Sequence, residues 1–195
     1  NLLRGFKFTT LGCPRVTEGA GGTATQSVFS CKRVGVGTVA MNVTAPDGSS
    51  LYSGTMNIPL LVQPQVTMST SLGTIVIELN PAKAPVSVDN FLQYTENSFY
   101  VNKIFHRVIS NPIIQGGGFT STLQQPATMA AIKLEAGNGL SNLRGSIAMA
   151  RTDVVNSATA QFFINVVDNV HLDTSNGCYA VFGKVVAGLD VVDKI

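Results

Sequence analysis

The sequence predicts a mainly β fold, and three observations carry that expectation. Glycine is abundant, with 19 residues, and no apolar pattern at helical spacing runs far beyond about a dozen positions. Short runs rich in Val, Ile, Thr, Tyr and Phe recur along the chain, bounded by Pro, Gly, Asn and Asp, as strands and turns require. Hydrophobic residues make up 45% and charged residues 12%, so the chain can pack a core and does not have the composition of a disordered one. A chain of 195 residues holds one domain, or one with a small companion.

Residues 1–64 read as that companion. Strands are expected from Thr23 to Ser30, Gly37 to Val43 and Leu51 to Ile58. Ala45-Pro46-Asp47-Gly48-Ser49 joins the last two: proline presets one corner of a turn, and Asp-Gly tolerates the next. Met41 and Val43 alternate with polar neighbours, as do Tyr52 and Met56. This is the pattern of a small β-sandwich-like segment, part of an immunoglobulin-like one, though short for a complete sandwich. It carries no catalytic constellation. Cys13 and Cys31 share a Gly/Thr/Ser-rich stretch. Either they form a disulfide, which stabilises by roughly 3 kcal/mol and points to an oxidising compartment, or they are two buried thiols. Cys178 is then left over as a small apolar residue. The chain begins at Asn1 without a hydrophobic leader and reads as a processed or trimmed piece.

Composition shifts at Gln63-Pro64-Gln65, and a second domain is expected over residues 65–195. Val66 to Thr70 and Thr74 to Leu79 flank a Ser71-Leu72-Gly73 turn and form a hairpin. Asn80-Pro81-Ala82-Lys83-Ala84-Pro85 ends the second strand. Val88, Phe91, Leu92 and Thr95 then follow at helical spacing. Pro85 suits the helix start, where a missing N–H costs little, and Asn97-Ser98 ends it. Further strands are expected at Ile104 to Val108, Ile113 to Gly116, Gly145 to Ala150, Phe162 to Asn165 and Ala180 to Val185. Loops with Pro126, Gly137-Asn138-Gly139 and Asn176-Gly177 separate the later ones, and Gly188 to Ile195 has a short helical pattern.

Several function classes are disfavoured. Thirteen basic residues against eleven acidic ones leave no footprint for nucleic acid or an anionic membrane. Runs such as Ile58-Pro59-Leu60-Leu61-Val62 are too short to span a bilayer. There is no Gly-Xaa-Ser-Xaa-Gly elbow and no Cys-Xaa-Xaa-Cys pair. His106 and His171 lack metal-ligand spacing, and no cofactor is expected. Gly35 to Ala40 mimics a dinucleotide fingerprint, but no helix follows it.

One stretch stands out. Phe105 to Phe119 places Arg107 and Gln115 eight residues apart, before a triple glycine. In alternating strand an even spacing puts both on one face, although the Ser110-Asn111-Pro112 turn can change the phase. A cation and an amide beside an apolar surface bind a carbonyl or amide without cleaving it. Ala160-Gln161-Phe162-Phe163-Ile164-Asn165 supplies a further amide and two aromatics.

Together these elements resemble the core signature of the cyclophilins, the peptidyl-prolyl cis/trans isomerases. The resemblance spans about residues 65 to 195. It includes Ala84-Pro85 with Asn90-Phe91, Gly145 to Ala150, Ser157 to Asn165, Leu172-Asp173 and Tyr179 to Lys184. It implies a closed antiparallel β-barrel with two helices, of which the last family strand would fall after Ile195. It also implies the activity, with Arg107 and Gln115 as the catalytic pair. Phe105, Pro112, Ile113, Ala150, Arg151, Gln161, Phe163, His171, Leu172 and Tyr179 match substrate-binding positions. Bacterial members are the nearer type, which with the cysteines suggests a periplasmic protein. Its partners would be proline-containing unfolded or secreted polypeptides, bound by a monomer.

The chain departs from the family at four of these positions. Pro112 stands where a phenylalanine wall is usual, and Ile113 where methionine is common. His171 replaces an aromatic, often tryptophan, and Tyr179 a frequent histidine. Losing the tryptophan implies weak cyclosporin binding. Losing the phenylalanine removes packing surface for the substrate proline, which opens a second reading, a proline-binding chaperone module with little or no turnover.

Overall fold

The computed structural model describes residues 7–11, 15–18, 29–32, 37–44, 49–58, 63–109, 112–174 and 178–195. The chain divides into two compact units, Asn1–Leu61 and Val62–Ile195.

In the first unit, β1 (Lys7–Leu11), β4 (Gly37–Thr44) and β5 (Ser50–Ile58) form an antiparallel sheet in the order β1-β4-β5. β2 (Arg15–Glu18) and β3 (Phe29–Lys32) pair as a separate ribbon. The hairpin anticipated around Pro46 is present as β4–β5, with Met41 opposite Gly54 and Val43 opposite Tyr52. The strand expected to begin at Thr23 lies partly outside the described residues, and the pairing expected of Cys13 with Cys31 falls there as well.

The second unit is one seven-stranded antiparallel sheet. Its strands are β6 (Gln65–Thr70), β7 (Gly73–Leu79), β8 (Lys103–Ile109), β9 (Ile113–Thr120), β10 (Ser146–Met149), β11 (Phe162–Asn165) and β12 (Val181–Ala187). Their order is β6-β7-β12-β10-β11-β9-β8. The sheet curls around a core of Ile75, Ile77, Leu79, Ile147, Ile164 and Phe182, all fully buried. Strand alternation explains the selection: in β7, Ile75, Ile77 and Leu79 point inward while Thr74, Val76 and Glu78 stay partly or fully exposed.

Among the described residues, β6 and β8 do not pair. The barrel is therefore an open, curled half-barrel, and the closed ring implied by resemblance is incomplete along this seam. With seven antiparallel strands the two edges run in the same direction, so one opposed strand would complement both. A cavity of about 1000 Å³ occupies the seam, walled by Val66, Met68, Leu72, Phe91, Phe105 and Ile195 among others.

Helix α1 (Pro85–Glu96) lies where its apolar spacing placed it and buries Val88, Phe91 and Tyr94. Phe91 makes an edge-to-face contact with Phe162 at 5.5 Å and a tilted one with Phe182 at 5.3 Å, geometries that aromatic quadrupoles favour. Its N-cap, Ala84, has no side chain able to cap. Glu135, far along the chain, does so instead: its carboxylate accepts the Val86 N–H at 3.0 Å, and the Ser87 N–H and hydroxyl both at 2.8 Å. A carboxylate there also meets the positive end of the helix dipole. Replacing Glu135 by Ala should destabilise the domain by about 1–2 kcal/mol, the usual value of a lost cap. Denaturant unfolding would register this, and an unchanged midpoint would show that water replaces the carboxylate without loss. A second helix, α2 (Leu189–Val192), buries Val191 and Val192. Gly73, at φ +138°, adjoins it, because a Cβ there would lie 2.7 Å from the Val191 side chain. No helix among the described residues is long and apolar enough to cross a membrane.

Candidate active site

The site is built by strand register. β8 and β9 form a hairpin in which Arg107 is the direct partner of Gln115. Direct partners always share a face, so the turn leaves the expected convergence intact. Gln115 is in turn opposite Phe163 on β11, Phe163 opposite Ala148 on β10, and Ala148 opposite Val181 on β12. One row therefore crosses five strands, running from a cation through an amide to an apolar floor.

Hydrogen bonds fix the polar end. Arg107 Nη1 donates to Gln115 Oε1 at 3.2 Å, and Gln115 Nε2 donates to Gln161 Oε1 at 2.9 Å. Because its NH₂ is engaged by Gln161, the Gln115 amide presents its oxygen to Arg107. The Gln161 side chain lies over Gly118, where a Cβ would come within 2.7 Å of its amide. His106 sits beside this chain with its ring 4.6 Å from Phe119. Burial holds its pKa below the ordinary 6.5, against hydrogen bonding with Ile104 and Gln161.

At the apolar end, Ile113, Ala148, Phe163 and Val181 form a buried cluster, with Leu140, Ala150, Leu172 and Tyr179 packed around it. Tyr179 meets Phe163 edge to face at 5.5 Å. Arg151 places its guanidinium 5.0 Å from the Tyr179 ring centre. The structure thereby brings together Arg107, Gln115 and Gln161, and, adjoining them, Ile113, Ala150, Arg151, Phe163, Leu172 and Tyr179.

Three residues stand apart. A bulge between Phe105 and Arg107 shifts the register, so Phe105 pairs with Gly116 and packs edge to face on Phe162 at 6.2 Å. It lines the seam cavity, away from Arg107. His171 is exposed on the 3-10 turn Val170–Asp173, whose Leu172 does reach the cluster. Pro112 is half-buried and outside the cluster; its carbonyl accepts the Val166 N–H and Asn169 Nδ2, both at 3.0 Å.

Sequence reading missed the buried polar layer behind the cluster. Asn142 and Asn165 are fully buried and Asn169 nearly so. Asn165 Nδ2 donates to Asn142 Oδ1 and Ser146 Oγ, and Asn169 Nδ2 donates to Asn165 Oδ1. Asp173 closes the layer, accepting Ser141 Oγ, the Asn142 N–H at 2.9 Å and Asn142 Nδ2 at 2.7 Å. Burial pushes its carboxyl up, but these bonds outweigh it and hold the pKa below the ordinary 3.8. Asparagines isolated in sequence give no signal of such a layer.

The second unit is thus an open antiparallel half-barrel that carries a cation, two hydrogen-bonded amides and an apolar cluster in one cross-strand row. Residues 65–195 match the cyclophilin type peptidyl-prolyl cis-trans isomerase/CLD family. The chain is 57% identical over 137 residues to the peptidyl-prolyl cis-trans isomerase of Acinetobacter baylyi, covering 69% of this chain and 73% of that protein. It is 56% identical over 135 residues to peptidyl-prolyl cis-trans isomerase B of Escherichia coli, covering 67% and 82%. Among solved structures, the cyclophilin AquaCyp293 of Hirschia baltica is similar at a TM-score of 0.57 and 25% identity, over 66% of this chain and 65% of its own. A Cryptosporidium parvum cyclophilin type isomerase, crystallised in the presence of the dipeptide Ala-Pro, gives 0.57 and 28%, over 67% and 84%. The chain belongs to the cyclophilin-type peptidyl-prolyl cis-trans isomerase family.

Proposed function

We propose that this protein catalyses cis/trans isomerisation of Xaa-Pro bonds on the face that carries Arg107, Gln115 and Phe163. The activity is that of its named relatives at 55–57% identity. The assignment of residues rests on the cross-strand row.

Rotation about the bond must overcome a barrier of about 18–20 kcal/mol, because amide resonance is lost at the twisted state. Uncatalysed exchange takes tens to hundreds of seconds. The catalyst has to hold the proline ring, let the preceding carbonyl swing, and favour the twisted state over both planar ones. Once resonance is lost the nitrogen lone pair becomes a hydrogen-bond acceptor. A guanidinium N–H aimed at it therefore interacts more strongly in the twisted state, and only such a difference speeds the reaction. Arg107 fills this role. Gln115 orients it and offers its own amide to the substrate backbone. The cluster around Phe163 and Ile113 receives the proline ring, with Leu172 and Tyr179 at its margin. No covalent intermediate or metal is needed. The substrates are proline-containing segments of unfolded polypeptides, whose extended backbone can lie along Ala150 and Gln161.

The test is exchange spectroscopy by NMR on an Ala-Pro peptide with the purified protein. Accelerated cis/trans exchange is expected. Peptide binding without acceleration would identify a proline-binding module instead, and neither binding nor acceleration would overturn the proposal.

A further inference from the structure

Tyr179 is held from three sides, and the least ordinary of these holds is Arg151. The residue before Tyr179, Cys178, has φ +64°, a left-handed conformation uncommon for a non-glycine residue. Arg151 Nε donates to the Cys178 carbonyl at 2.9 Å, while Nη1 donates to the Thr152 carbonyl at 2.7 Å. The same guanidinium lies 5.0 Å from the centre of the Tyr179 ring. The Tyr179 N–H is taken by the Leu172 carbonyl at 3.0 Å, and its ring meets Phe163 at 82°.

These contacts connect elements distant in sequence: the segment leaving β10, the segment entering β12, and the 3-10 turn. A guanidinium suits the junction because its N–H groups fork in one plane while its face remains free for an aromatic ring. A lysine can carry the charge but cannot reach two carbonyls and cover a ring together. Hydrogen bonds within loops hold loosely when they stand alone, and here the planar fork ties the backbone and the ring at once.

We infer that Arg151 is a positioning residue, which locks Tyr179 against Phe163 and so preforms the edge of the apolar pocket. It sets how tightly a proline segment is held and leaves the twisting step to Arg107. The inference rests on the reading of this face as the peptide site, but its structural half stands apart from turnover.

The experiment compares Arg151→Ala, Arg151→Lys, Tyr179→Ala and the double variant Arg151→Ala/Tyr179→Ala. Each is measured for Ala-Pro peptide affinity by NMR titration, for exchange rate of the bound peptide, and for the nuclear Overhauser contact between the rings of Tyr179 and Phe163. Both Arg151 variants should lose the ring contact and bind peptide about fivefold more weakly, with the bound exchange rate falling far less than in Arg107→Ala. Arg151→Ala should add nothing in the Tyr179→Ala background. Wild-type affinity in Arg151→Lys would reduce the role to charge. A full additional loss in the double variant would mean that Arg151 contacts the peptide directly. Retention of the ring contact in Arg151→Ala would overturn the positioning role. Failure of the wild type to bind or accelerate, with the ring contact still lost in Arg151→Ala, would refute the isomerase reading and leave the clamp standing.

Discussion

Arg107→Ala should lower kcat/KM for an Ala-Pro peptide by about 100-fold or more, the usual loss when one preorganised donor to a transition state is removed. The side chain is exposed, and its one described bond is to Gln115. Truncating it should therefore cost little stability, and the unfolding midpoint should stay within a few tenths of a kcal/mol of wild type. Binding of the planar peptide should weaken far less than the rate falls, because the bond to the amide nitrogen gains strength only as resonance is lost. Arg107→Lys supplies a sharper comparison. Its ammonium retains the charge but lacks the fork that lets one N–H engage Gln115 while another faces the substrate. A partial rate is expected, between wild type and Ala. Wild-type exchange in the Ala variant would remove Arg107 from the chemistry and leave the apolar pocket as the only working element.

The comparison of sequence with structure separates what is local from what is not. Helix α1 spans Pro85–Glu96 because Pro85 and the recurrence of Val88 and Phe91 are signals carried within one element. The hairpin of β6 and β7 around Ser71-Leu72 was legible for the same reason. Arg107 and Gln115 were legible as a pair because they lie on one hairpin, where spacing translates directly into register. Phe105 came only from the family likeness, and the register shift between it and Arg107 pairs it with Gly116 on the other face. Bulges leave little trace in a sequence. The row from Gln115 through Phe163 to Ala148 and Val181 depends on pairings between strands far apart in the chain, which no spacing encodes; the residues offered Phe163 only as one of two adjacent aromatics, and the likeness to a known family gave it a pocket role. Glu135 and the asparagine layer were missed entirely. Each does its work through partners more than twenty residues away or through burial that composition does not reveal.

Asn165→Leu should be the most destabilising of the substitutions considered, at about 3 kcal/mol, and it should separate structural loss from catalytic loss. Asn165 is fully buried. Its Nδ2 donates to Ser146 Oγ at 2.8 Å and Asn142 Oδ1 at 3.1 Å, and its Oδ1 accepts Asn169 Nδ2 at 2.8 Å. Leucine has the same γ-branched shape, so the cavity term is small and the cost is chiefly polar. The Asn142 oxygen, itself fully buried, would be left without its donor, and an orphaned buried acceptor costs about 1–3 kcal/mol before the lost bonds are counted. For a domain of this size the melting midpoint should fall by roughly 10 °C. Asn169 would keep its bond to the Pro112 carbonyl, and Asp173 its bonds to Asn142, so the pocket margin should survive wherever the domain remains folded. Well below its own midpoint, Asn165→Leu should therefore retain far more exchange activity per folded molecule than Arg107→Ala. If instead the two variants lose activity alike while both remain folded, the buried layer shapes the reacting face directly, and the division between a working row of side chains and an inert support behind it fails.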